Sequence, residues 1–379
     1  LAAQDELDGG PSVDTQLARG RTLIAMGFLA QFQNQPDQGQ PPLEQAIAVL
    51  RAIGPAGQRW LGVAQLFLSK AVRDRVERAR LLNDTLPLLT AAGDPLYMAE
   101  YSMDLGGLYT EQNRMDDAEA ALRESLRWRE VGQDLDGIGT ARLGLGDIAL
   151  LQHDFDGARQ HYEKGCECFR TVRNRTMESI LLSRLGQVSM IMGDMAGAAR
   201  RYTASMLINQ QSGDRVGLAN SLFDLGRLEL NTGQPRRAER YFAEIAQLGA
   251  DIGLPEAVLV GLLFQGLAAI EMDDRPRVDD FARRAIDFWR RVRPGAFNRE
   301  FILNNLENLA VLLADSRPEI ARQLFATIDT HATLNRLFNT KFELSAYTGA
   351  RERVRPGHAT SPESESNEPT LDVDAAVRL

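Results

Sequence analysis

Residues 136–175 read DGIGTARLGLGDIALLQHDFDGARQHYEKGCECFRTVRNR, one period of a pattern that recurs along the chain. Apolar residues at helical spacing run from Ile138 to Leu151, and the polar triplet Gln152-His153-Asp154 then breaks the pattern. Phe155 to Val172 forms a second amphipathic run, ended by Arg173-Asn174-Arg175. Two such runs joined by a short polar turn make a helical hairpin. Moving outward, the pair Leu145-Gly146 has counterparts forty residues apart at Leu105-Gly106, Leu185-Gly186 and Leu225-Gly226, and Gln265-Gly266 keeps the register. Twelve residues after each glycine stands Ala118, Ala158, Ala198, Ala238 or Val278. Four positions further on, a bulky residue follows in the first four units: Leu122, Tyr162, Tyr202 and Phe242. Self-similarity at a period of 20–50 residues is the signature of stacked repeats, which work by presenting an extended surface.

A glycine in mid-helix costs about 1 kcal/mol relative to alanine. Its recurrence at one phase therefore implies close approach of the paired helix, with the small residue at +12 expected to face it. Gly193 and Gly233 fall just beyond their first helices, where a left-handed C-cap is expected, and Asn or Asp in the turns suits capping of the second helix.

The expected architecture is all-α: a right-handed superhelix of about eight hairpins. Residues 1–14 read as a flexible lead-in, 15–346 as the repeat array with its clearest units over 96–293, and 347–379 as a Pro/Ser/Glu-rich disordered tail. Upstream, 15–53 (with Met26-Gly27-Phe28) and 58–92 (with no repeat glycine recognised) form two weaker units; downstream, 300–313 and 318–338 form a degenerate pair. The chain opens at Leu1 without a methionine, which points to a piece of a longer polypeptide.

The chain has 379 residues and a net charge of −9, which argues against nucleic acid as the main partner. Two cysteines, Cys166 and Cys168, two apart in a helical stretch, form no disulfide framework and fit a reducing, cytoplasmic setting. No run reaches the roughly 18 apolar residues of a membrane span, so no membrane partner is expected. The lysines are only Lys70, Lys164 and Lys341 among 43 basic residues.

The pattern Leu105-Gly106-x-x-Tyr109, then Ala158–Tyr162, Ala198–Tyr202 and Ala238–Phe242, resembles the tetratricopeptide repeat. That repeat usually has 34 residues, so the extra six are expected to lengthen the helices. HEAT and armadillo repeats have a comparable period but lack the Gly…Ala…aromatic pairing. A narrower resemblance rests on Gly-Asp-Met-Ala-Gly-Ala-Ala-Arg (193–200), Gln-Ser-Gly-Asp (211–214), Arg-Pro-Glu-Ile-Ala-Arg-Gln-Leu-Phe (317–325) and the acidic-apolar stretch 371–377. These are similar to the C-terminal arrays of large bacterial ATP-binding regulators, the maltose-activator type of LuxR-family activators and signal-transduction ATPases. The resemblance implies a sensor or protein-docking arm, with ATPase and DNA-binding parts outside this chain.

No phosphate-binding Gly-x-x-x-x-Gly-Lys-Ser/Thr occurs. Gly144-Leu145-Gly146-Asp147 looks like part of a dinucleotide fingerprint, but it follows a helix pattern and no strand. His153, His161, Cys166 and Cys168 have no zinc-site spacing, and no serine elbow accompanies the four histidines. No catalytic residue, metal or cofactor is expected, and the chain reads as a non-enzymatic binding module.

In tetratricopeptide arrays the first helix of each hairpin lines the groove. Positions −6, −3, −2 and +1 from the repeat glycine share one helix face. They give Glu100, Met103 and Asp104; Thr140 and Asp147; Ser183, Arg184 and Gln187; Asn220, Phe223, Asp224 and Arg227 as the expected groove. Mixed polar and apolar groups there suit a protein or peptide partner. A small-molecule effector and self-assembly into a homo-oligomer are the alternatives. Arg283, Arg284, Arg290 and Arg291 recur at a spacing of seven on one helix side, a second candidate docking patch for an acidic partner, or a solvated face paired to Asp279, Asp280 and Asp287.

Overall fold

Helices begin every twenty residues through the middle of the chain. The computed structural model describes residues 12–32, 36–72, 74–292, 297, 299–331 and 341–354. Its helices are α1 (Val13–Phe32), α2 (Pro36–Ala52), α3 (Gln58–Ala71), α4 (Arg75–Ala92), α5 (Pro95–Glu111), α6 (Met115–Val131), α7 (Leu135–Leu151), α8 (Phe155–Thr171) and α9 (Arg175–Ile191). They continue with α10 (Met195–Ser212), α11 (Arg215–Asn231), α12 (Pro235–Ile252), α13 (Pro255–Glu271), α14 (Arg275–Arg291), α15 (Arg299–Leu313), α16 (Pro318–His331) and α17 (Lys341–Val354). No strand occurs among the described residues. The chain divides into two compact units, residues 1–173 and 174–379. Each is an all-α, tetratricopeptide-like stack of helical hairpins; among the described residues the helices make eight hairpins and one further helix, α17.

The beat is set by the turns. From Gly93 to Asp273, the residue before each N-cap has positive φ: Gly93, Asn113, Gln133, His153, Arg173, Gly193, Gly213, Gly233, Gly253 and Asp273. Gly193 (φ 85°) and Gly233 (φ 72°) take the left-handed conformation that their sequence position predicts. The next residue starts the following helix, and it is usually acidic. Asp134, Asp154, Asp194 and Asp214 accept from the backbone N–H of Gly137, Gly157, Gly197 and Gly217 at 2.8–3.0 Å. Such caps satisfy N–H groups that the helix leaves without partners.

In most hairpins the side chain nearest the repeat glycine is the bulky residue sixteen positions on. The small residue at +12 approaches beside it, with the Ala118 carbonyl 3.4 Å from a Cβ built at Gly106 and the Gly27 carbonyl 2.8 Å from one built at Gly39. A Cβ at Gly186 would lie 2.5 Å from Cε1 of Tyr202, and one at Gly226 would lie 2.6 Å from Cε1 of Phe242. Gly106 faces Leu122 in the same way, and Gly27 faces Leu43. The rings of Tyr162, Tyr202 and Phe242 are almost fully buried. Gly266 departs from the scheme because the residue at +16 is the small Ala282. Its bare backbone is covered by Leu312 of α15 instead.

In the N-terminal unit the core gathers Ile24, Leu50, Val63, Leu82 and Tyr101, followed by Ala118, Leu122, Leu145 and Ile148. In the C-terminal unit it runs from Ala219 through α13, buried on all sides, to Val354. The helix α17 extends past the array boundary expected at 346. Its stripe of Tyr347, Ala350 and Val354, at helical spacing, is buried on α15 and α16, and this seats residues that composition alone assigned to the tail. Tyr347 meets Phe325 edge-on at 5.3 Å, and Arg322 donates to the Val354 carbonyl at 2.9 Å. The lead-in 1–11 and the tail 355–379 lie outside the described residues.

Candidate binding face on the first helices

In the N-terminal unit, α1, α3 and α5 are the first helices of three successive hairpins, and together they wall an open cleft of about 1140 Å³. Its lining is aromatic and apolar, with Ile24, Phe28, Trp60, Phe67, Leu96 and Tyr97, and it carries Arg21, Lys70 and Glu100. Trp60 and Tyr97 meet edge-on at 6.4 Å, and Phe28 lies 5.2 Å from Phe67. Leu96 and Phe28 remain exposed.

Of the expected groove residues in this unit, Glu100 and Asp104 are brought together. The Lys70 ammonium donates to Glu100 at 2.6 Å and stands 3.5 Å from Asp104. Glu100 also takes the buried Arg129 guanidinium, which in turn binds Asp134, the N-cap of α7, at 2.5 Å. Burial would raise the Glu100 carboxyl, but Lys70 and Arg129 hold it below its ordinary value. Burial pushes the Asp104 carboxyl up to about 6, against the pull of Lys70 and Arg78. Its Oδ2 is buried and has no hydrogen-bond partner among the described residues. The opposite balance holds for Lys70: burial would lower it, yet the two carboxylates keep it above the usual lysine range.

The other expected positions in this unit serve the fold. Met103 packs beside Leu122 and Ile148. Thr140 donates to the carbonyl of Asp136 at 3.0 Å, and Asp147 accepts from the hydroxyl of Tyr162 at 2.7 Å.

In the C-terminal unit, α9 and α11 are consecutive first helices, and they join four expected residues into one cluster. Ser183 donates to Asp224, while the charges of Arg227 and Arg184 act on the same carboxylate. Burial pushes Asp224 up to about 6; the Ser183 hydrogen bond and the two arginines oppose it. Gln187 accepts from Arg184 at 3.4 Å, and Asn220 is exposed. Phe223 packs inward, edge-on to Phe264 at 4.8 Å, with Arg227 over its ring at 5.5 Å. Asp104 and Asp224 occupy the same phase, two residues before the repeat glycines Gly106 and Gly226.

The arginine patch divides. Arg283 and Arg284 pair with Asp280 at 3.4 and 3.7 Å. Arg284 and Arg291 line a smaller cleft of about 430 Å³ between α12 and α14, floored by α13. All four arginines are exposed. Cys166 is buried, and His153 is a left-handed turn residue. Among the described residues no group of three or more His, Cys, Asp or Glu is placed to hold a metal ion, and no helix is long and apolar enough to cross a membrane.

Trp60 and Phe67 lay outside the expected groove because the unit spanning 58–92 lacks the phased glycine, and Tyr97 stands nine residues before Gly106, outside the four positions. Arg21, Ile24, Ala25 and Phe28 stand at those same four positions relative to Gly27, a unit to which the phase was not extended. A weaker signal exists: Trp60 and Phe67 stand seven apart on one side of α3, with Lys70 one turn further on.

The tetratricopeptide repeat model matches residues 97–171 and 177–248. These segments are tetratricopeptide repeats. Among solved structures, the array is similar to a signal-transduction ATPase with numerous domains and a tetratricopeptide repeat sensor from Pyrococcus horikoshii, at TM-score 0.59 and 12% identity, over 88% of this chain and 50% of that one. It is similar to aspartyl phosphate phosphatase F from Bacillus subtilis, at 0.57 and 12%, over 96% and 91% of the two chains. A third likeness is to NprR in complex with its cognate peptide NprX, at 0.53 and 14%, over 89% and 99%. At these identities the likeness is one of fold. No curated protein matches the sequence significantly.

Proposed function

We propose that this array is a non-catalytic module that recognises a peptide or protein segment on its first-helix faces, as the sensor or scaffold arm of a larger cytoplasmic regulator. The observation that carries the reading is the cleft walled by α1, α3 and α5, where three first helices converge aromatic, apolar and charged side chains on open space. Glu100, Arg184 and Arg227 are the polar groups offered to a partner on the two units, with the buried carboxylates of Asp104 and Asp224 holding Lys70 and Ser183 behind them. Similarity to a tetratricopeptide sensor of a signal-transduction ATPase and to a peptide-bound NprR supports the class of partner.

The test is site-specific photo-crosslinking in a lysate of the source cells. A crosslinker replacing exposed Ala25 or Asn220, both on first helices, should capture partner chains that the same group at Arg123 or Gln160, on second helices, does not. Capture mainly from the second-helix positions would overturn the reading. Capture only of further copies of this chain would replace it with self-assembly.

A further inference from the structure

One cation in the N-terminal cleft is uncommitted. Arg59 lies 5.4 Å from the Trp60 ring but is bridged to Asp94 at 2.7 Å. Lys70 is engaged by Glu100 and Asp104. Arg21, from α1, stacks its guanidinium over the same Trp60 ring at 4.8 Å and makes no ion pair among the described residues. A guanidinium held over an aromatic face can still present N–H groups to a carboxylate, which its fork matches in a bidentate pair. Beside it, Phe28 and Leu96 leave apolar surface exposed at the cleft.

We propose that this cleft takes an acidic-apolar peptide segment, with an Asp or Glu side chain on Arg21 and neighbouring bulky apolar side chains on the aromatic floor. The proposal rests on the peptide reading above and adds the chemistry of the partner. A basic segment would meet Arg21 and Lys70, and it would find Glu100 already shared between Lys70 and Arg129. Single-stranded nucleic acid also stacks on aromatic rings, but it binds through many phosphate contacts and this cleft supplies a single free cation.

A random dodecapeptide phage library panned against the whole chain tests it. Enriched peptides should carry Asp or Glu next to Leu, Phe or Trp. In fluorescence anisotropy they should bind Arg21→Glu about tenfold or more weakly than the parent, while Arg123→Glu, an exposed second-helix control, binds as the parent does. A matched thermal melt establishes that Arg21→Glu is folded, and Arg21→Gln supplies a charge-neutral second variant expected to fall between the two. Enriched peptides that are basic, or that ignore both Arg21 variants, would overturn the inference while leaving peptide recognition intact. Failure of any peptide to enrich would overturn both. Arg21-dependent binding of a labelled thymidine oligonucleotide without peptide enrichment would assign the cleft to nucleic acid.

Discussion

Tyr162 lays its ring across Gly146, and its hydroxyl donates to the next residue, Asp147, at 2.7 Å. One side chain thus fills the space opened by a missing Cβ and ties the two helices of the hairpin together. Gly146→Ala should therefore destabilise by about 1–3 kcal/mol, because a close-packed ring must move. Gly107→Ala should instead stabilise, by up to about 1 kcal/mol of helix propensity; a Cβ there would meet only the flexible end of Arg78 at 3.5 Å. Urea unfolding of both variants checks the pair, and equal effects would contradict the packing role.

The turns separate backbone strain from contact. Gln133 holds φ 53° as a non-glycine residue. Relief of the left-handed cost, about 1–2 kcal/mol, exceeds the entropy that glycine adds to the unfolded chain, so Gln133→Gly should raise the melting temperature slightly. Gly213→Ala should lower stability by about 1 kcal/mol, although nothing stands within 4 Å of its missing Cβ. Calorimetry of the two variants should give opposite signs.

Asp224 makes stability depend on pH. Its folded-state value of about 6 lies above the ordinary carboxylate value, so between about pH 4 and 6 the folded chain holds a proton that the unfolded chain has released. Stability from this group is present below that window and is lost as pH rises through it, by at most about 1.4 kcal/mol per pH unit. Ser183, Arg184 and Arg227 temper the loss without abolishing it. Relative to the parent, Asp224→Asn should gain stability from pH 4 to 6 and level off above. A difference that does not change with pH would remove the buried-carboxylate account.

Lys70 offsets two half-buried carboxylates at once. Lys70→Met should destabilise by about 1–3 kcal/mol, because Asp104 then keeps only Arg78 nearby. Adding Asp104→Asn should restore part of that loss. A double-mutant cycle in urea measures the coupling, and simple additivity would mean that the two side chains act independently.

The fold was readable because its main constraint is local and periodic. A glycine every forty residues, in most units a bulky residue sixteen later, and an N-cap that is most often Asp all act within one hairpin, so a single sequence displays them. The polar cluster in the C-terminal unit was readable for the same reason: Ser183 and Asp224 fall at fixed phases from Gly186 and Gly226. Two kinds of feature were hidden. The partner of Gly266 is Leu312, which stands in the next hairpin rather than at the periodic position. The aromatic cleft joins Arg21, Trp60 and Tyr97 from three hairpins, two of which lack the clear repeat signature. Met103 and Phe223 match the groove phase, but apolar side chains at those positions turn toward the core because burial is worth more to them than exposure on a polar face.

The uniform turn has a further consequence for how such a chain can change length. Asp214 ends one turn and Leu254 occupies the corresponding place forty residues later, ahead of a helix that opens on Pro255. Excising 215–254 would join a left-handed Gly213 and a capping Asp214 directly to proline at the first helical position, a junction as well formed as either parent. At the level of the turn, a seam of this kind carries its own folding instructions, so an array can lengthen or shorten by forty residues without any new joint being invented, while the packing between neighbouring hairpins, such as Leu312 on Gly266, must still be matched.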